Sequence, residues 1–71
     1  MTGRAFVKKV SEIGRQRGIP VRVDPKRGKG SHVTLYYGNR KTVMKDRRKE
    51  IGAGLLTSMI RQLGLDRKDF L

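Results

Sequence analysis

The 71-residue chain has no cysteine and no tryptophan, only two prolines, a single histidine, and six acidic residues in all. Without cysteine no disulfide can staple it, which suits a reducing compartment. One histidine and six scattered carboxylates offer no clustered ligand set, so neither a metal nor another cofactor is expected. Apolar runs stop at two or three residues, far short of the roughly 20 that span a bilayer. Met1-Thr2-Gly3-Arg4 leads into a charged amphipathic pattern and not into the apolar stretch of a signal peptide. A soluble cytoplasmic protein without membrane contact is the expectation. Gly28 and Gly30 belong to no G-x-x-x-x-G-K-[ST] pattern, so a P-loop is excluded. A Ser31–His32–Asp24 triad is also disfavoured, because neighbouring strand residues point to opposite faces.

Basic residues are what the chain has in excess. Eighteen Lys and Arg give a formal net charge of +12. So lopsided a field attracts polyanions, of which nucleic acid is the commonest inside cells, or an acidic protein competing for the same surface. Ten of these cations fall between Arg22 and Lys49, opposed there only by Asp24 and Asp46. A chain this short is one domain, residues 1–71, with a thin core.

Apolar periodicity divides the chain into five elements. Phe6, Val7, Val10 and Ile13 recur at helical spacing, predicting a helix from Thr2 to about Arg17 with Thr2 as its cap and Gly18 as its stop. Ile19 to Asp24 alternates at period two, with Pro20 marking an edge strand or a strand that begins just after it. Pro25 to Gly30 is a turn rich in Gly and cations. Ser31 to Tyr37 alternates again, placing Val33, Leu35 and Tyr37 on one face. Gly38-Asn39 signals a turn into a short third strand, Arg40 to Met44 through Val43. After the charged loop Lys45–Glu50, a second helix is predicted from Leu55, Leu56, Met59, Ile60 and Leu63, stopped by Gly64. Leu65 to Leu71 can add a short final turn of helix, with Phe70 and Leu71 packing back. The fold class is α+β, ordered α-β-β-β-α: a three-stranded antiparallel sheet with both helices on one face and the other face open to water, as in double-stranded-RNA-binding domains.

The same alternation puts His32, Thr34 and Tyr36 on the open face, with His32 at the start of the central strand and inside the basic region. An imidazole exchanges protons near neutral pH, so it can act as a general base toward a ribose 2′-OH. Lys29 and the backbone N–H groups of the Gly28–Ser31 turn can stabilise charge on the phosphoryl oxygens. Taken alone, a single histidine is more often a surface strand residue, or one hydrogen-bonded to a loop, that does no chemistry. Tyr36 can stack on an RNA base or simply fill space between strands. The Lys45–Lys49 run is a solvated loop or, standing just before a helix, a phosphate holder.

Several segments together resemble HicA-type toxins, small mRNA interferases of toxin–antitoxin systems. They are Met1-Thr2-Gly3-Arg4 with Phe6-Val7-Lys8-Lys9, Lys29-Gly30-Ser31-His32, Lys49-Glu50-Ile51, Gly54-Leu55-Leu56, and Ile60 to Leu65. The second of these is similar to the family's Gly-Ser-His signature. Ala5, Ala53 and the Tyr36–Asn39 hairpin depart from the family pattern, and no second histidine follows the third strand. The resemblance implies the dsRNA-binding-domain-like fold and metal-independent endoribonuclease activity on mRNA or other single-stranded RNA. It places His32 at the catalytic position, with Gly30 and Ser31 beside it, and implies a HicB-type antitoxin partner. With the basic region, the expected RNA contacts are Lys26, Arg27, Lys29, Gly30, Ser31, Tyr36, Arg40 and Lys41. Two further readings stay open: a non-catalytic RNA- or DNA-binding module on the same fold, and a basic surface that only docks an acidic protein.

Overall fold

The computed structural model describes residues 1–25 and 32–70. Helix α1 runs Gly3–Arg17, strands β1, β2 and β3 run Val21–Pro25, Val33–Tyr37 and Arg40–Met44, helix α2 runs Ala53–Gln62, and a 3₁₀ turn follows at Arg67–Phe70. The order α-β-β-β-α is the expected one. The strands form one antiparallel sheet in the order β1-β2-β3.

Local chemistry fixes the ends of α1. Thr2 is its N-cap, its hydroxyl accepting from the Ala5 N–H at 3.1 Å. Gly18 ends the helix at φ 68°, where a side chain would be strained, and the Gly14 carbonyl accepts from both the Gly18 and Ile19 N–H groups. The first free N–H groups meet backbone from far along the chain: Gly3 donates to the Lys49 carbonyl at 3.2 Å and Arg4 to the Arg47 carbonyl at 2.9 Å. The 45–50 segment is therefore anchored against α1, and Gly3 leaves room for it, since a Cβ there would lie 2.7 Å from the Arg47 Cα.

Strand β1 begins at Val21 and not at Ile19. Pro20 has no N–H to give the ladder, and its carbonyl instead accepts from Gly38 at 2.9 Å. Strand β2 alternates as the sequence implies, with Val33, Leu35 and Tyr37 buried. In β3 the phase buries polar Thr42 together with Met44 and leaves Val43 half exposed. Inward residues of the sheet meet Phe6, Val10 and Ile13 of α1, Met59 and Ile60 of α2 and Leu63 just after it in one cluster, so both helices cover the same face.

Leu55, expected on the apolar stripe of α2, is 50% exposed, while Leu56 packs against the core. Helix α2 ends at Gln62, just before Gly64 at φ 72°. In the 3₁₀ turn, Phe70 stacks on Phe6 with ring centroids 5.2 Å apart. Leu71 lies outside the described residues.

Candidate nucleic-acid interface

The face of the sheet away from the helices is organised in transverse rows. Period-two alternation on β2 turns Thr34 and Tyr36 outward between the inward Val33, Leu35 and Tyr37. Antiparallel register sets Arg22, Tyr36 and Lys41 side by side in one row, and Asp24, Thr34 and Val43 in the next. His32 precedes β2 in phase with Thr34 and Tyr36 and is exposed. It stands at the end of the sheet where β3 runs out into exposed Lys45. At roughly 3.3 Å per residue, the imidazole position is about 13 Å along β2 from Tyr36.

Two cations flank Tyr36, and one of them covers it. The Arg22 guanidinium carbon lies 4.4 Å from the centroid of the Tyr36 ring, a cation–π contact. The sequence reading did not single out Arg22. Its phase on β1 was legible, but its pairing with Tyr36 depends on the length of the connection from Pro25 to Val33, which composition does not give.

Of the other expected RNA contacts, Lys41 shares the open face with Tyr36, and Arg40 does not. Arg40 is in phase with Thr42 and Met44, and its guanidinium packs over Gly64, where an added Cβ would meet its Nε at 2.7 Å. There it lines a cavity of about 410 Å³ with Arg17, Pro20, Tyr37 and Leu63, on the helix side and at the far end of the sheet from His32. Arg17 donates to Asp69 at 2.6 Å, and this bond raises the guanidinium pKa above its ordinary value. Lys26, Arg27, Lys29, Gly30 and Ser31 lie outside the described residues.

The basic 45–50 segment is shaped by Asp46, its one residue that is not fully exposed. The Asp46 carboxylate accepts from the Arg48 side chain, Nε and Nη2 both at 3.1 Å, and from the Arg48 backbone N–H at 3.0 Å, which lowers its pKa to about 2. Arg47 and Lys49 give their carbonyls to α1 and leave their side chains exposed. Ion pairs among the described residues join Met1 to Glu50, Arg17 to Asp69 and Arg48 to Asp46, and none of them engages His32, Arg22 or Lys41. The open face thus combines an exposed imidazole, a ring under a guanidinium and cations that no described residue pairs, a set suited to a polyanion that carries planar bases.

Among the described residues no three His, Cys, Asp or Glu side chains come together as a metal would need, and no helix is long and apolar enough to cross a membrane. A family model described as the HicA toxin of bacterial toxin–antitoxin systems matches residues 21–65, which takes in the sheet, the basic segment and α2. No curated protein and no solved structure matches the chain.

Proposed function

The chain belongs to the HicA toxin family, and from that premise we propose that it is an endoribonuclease toxin in which His32 is the acid–base group. Toxins of this family act with a HicB antitoxin and are typically RNA-cleaving. The observation that carries the reading for this chain is the exposure of its single histidine at the end of the open face, in phase with Thr34 and Tyr36.

The chemistry follows from what one imidazole can do. His32 takes the proton of a ribose 2′-OH; the oxygen attacks the adjacent phosphorus, and the bond from phosphorus to the 5′-oxygen breaks. The products are a 2′,3′-cyclic phosphate and a 5′-hydroxyl, whose proton comes from water, from a lysine or from the imidazolium formed in the first step. A positioned base of this kind contributes about 10²–10⁴-fold to rate. We assign phosphate contacts to Lys26, Arg27, Lys29 and the backbone of Gly30 and Ser31, which stand next to His32 in sequence, and to Lys41 farther along the face. The donor set favours a reaction that needs no metal. A cognate HicB-type antitoxin is expected to neutralise the chain by binding it.

The test is incubation of the purified protein with a long single-stranded RNA in EDTA. Fragmentation by the parent, abolished in His32→Ala with RNA binding retained, supports the assignment. RNA that is bound but left intact by both proteins makes the chain a binding module on the same fold.

A further inference from the structure

We propose that Arg22, laid over the Tyr36 ring, is a stacking platform for one unpaired base of the RNA, at a fixed offset from the bond cleaved at His32. The inference rests on the nuclease reading for its substrate and adds to it a residue and a position. Tyr36 is half-buried, and a guanidinium at 4.4 Å already occupies one side of its ring. A base stacking on that side of the ring therefore meets the guanidinium and not the phenol.

A guanidinium is planar and delocalised, and it stacks on aromatic faces in a way an ammonium does not. Contact with Tyr36 fixes its plane in advance, so little rotamer freedom is lost when a base arrives. No ion pair among the described residues draws Arg22 aside, and its side chain is exposed. Lys41, across Tyr36 in the same row, is placed for the phosphate of the stacked nucleotide. Stacked nucleotides rise roughly 3.4 Å each. The separation of about 13 Å along β2 therefore corresponds to no more than about four of them.

The experiment separates stacking from charge and binding from cleavage. His32→Ala protein is titrated with an RNA octanucleotide by fluorescence anisotropy, and the oligonucleotide is then rebuilt with an abasic residue at each position in turn. One abasic position is expected to weaken binding about tenfold, within the range that base stacking on a protein platform supplies. Adding Arg22→Ala weakens the intact RNA by a similar factor and leaves that abasic RNA unchanged. Arg22→Lys keeps the charge, loses the planar face, and stays close to Arg22→Ala. Full affinity in Arg22→Lys, or an abasic penalty that persists in Arg22→Ala, overturns the platform. Far-UV circular dichroism checks that the variants remain folded, as expected for an exposed side chain. Cleavage is silent throughout, so the platform can fail while His32 remains catalytic, and the nuclease reading can fail while the platform stands.

Discussion

The hydroxyl of buried Thr42 donates to the side-chain carbonyl of Gln62, tying the inner face of β3 to the last turn of α2. The two ends of this bond are not equivalent. Gln62 is exposed and can turn to water, whereas Thr42 is 2% exposed and cannot. Removing Gln62 leaves a hydroxyl inside the core without a partner, which costs about 1–3 kcal/mol. Replacing Thr42 by valine removes the hydroxyl itself and keeps the shape. Urea unfolding should therefore show Gln62→Ala clearly less stable than the parent and Thr42→Val within about 1 kcal/mol of it. Equal losses would mean that the bond, and not the stranded hydroxyl, sets the effect.

Two helical glycines should respond to alanine in opposite directions. A Cβ on Gly14 would stand 2.4 Å from Cγ2 of Val21 and 2.7 Å from the Ile19 carbonyl oxygen, so α1 would have to lift from β1. Overpacking of this kind costs about 1–3 kcal/mol, more than the roughly 1 kcal/mol that alanine adds through helix propensity. A Cβ on Gly54 in α2 meets nothing within 4 Å, so there the propensity acts unopposed. Thermal melts should place Gly14→Ala below the parent and Gly54→Ala above it, with each kcal/mol worth about 4–8 °C at this chain length.

Where burial is one-sided and periodic, the sequence was readable. Val33, Leu35 and Tyr37 on β2, and Phe6, Val10 and Ile13 on α1, show their faces in their spacing, and both ends of α1 are written in Thr2 and Gly18. Arg40 to Met44 was harder. Val43 is its one β-branched apolar residue, yet the register with β2 turns Thr42 inward, where Gln62 satisfies it. That same phase separates Arg40 from Lys41, which composition alone had joined in one basic run. Leu55 lies outside the core because α2 packs on β3 and turns Met59 and Ile60 inward. In the row Arg22–Tyr36–Lys41, the pairing of Tyr36 with Lys41 follows from the two-residue Gly38–Asn39 turn, whereas Arg22 joins it across the longer connection from Pro25 to Val33, whose register no local pattern encodes.

Acid should loosen the start of α1 through the 45–50 segment. The Arg48 side chain and backbone N–H hold Asp46 at about 2, below its ordinary 3.8. A carboxylate depressed on folding adds stability that is complete above the ordinary value and is lost as pH falls toward about 2. Asp69 is lowered as well, first by the Asp66 N–H and then by Arg17, so it titrates in the same direction. Urea midpoints measured between pH 5 and pH 2 should fall for the parent and fall less steeply for Asp46→Asn, which cannot titrate. Identical slopes would show that Arg48 does not hold Asp46 in solution.

Neighbours in sequence, Arg40 and Lys41 should differ in what they do to RNA. Lys41 lies on the open face beside Tyr36, and Arg40 lies under the sheet against Gly64. A phosphate contact releases a counterion, so losing one from a single strand flattens the slope of log K against log salt by about 0.7. Measured in the His32→Ala background, Lys41→Ala should flatten the slope by about that amount and weaken binding across all RNA sequences. Arg40→Ala removes the same charge from the wrong side of the sheet and should leave the slope close to the parent's. The comparison holds net charge constant, so a general loss of positive field cannot produce the difference. If the two variants flatten the slope equally, the RNA does not keep to the open face, and a path around the Gly38–Asn39 hairpin toward Arg40 would have to replace it.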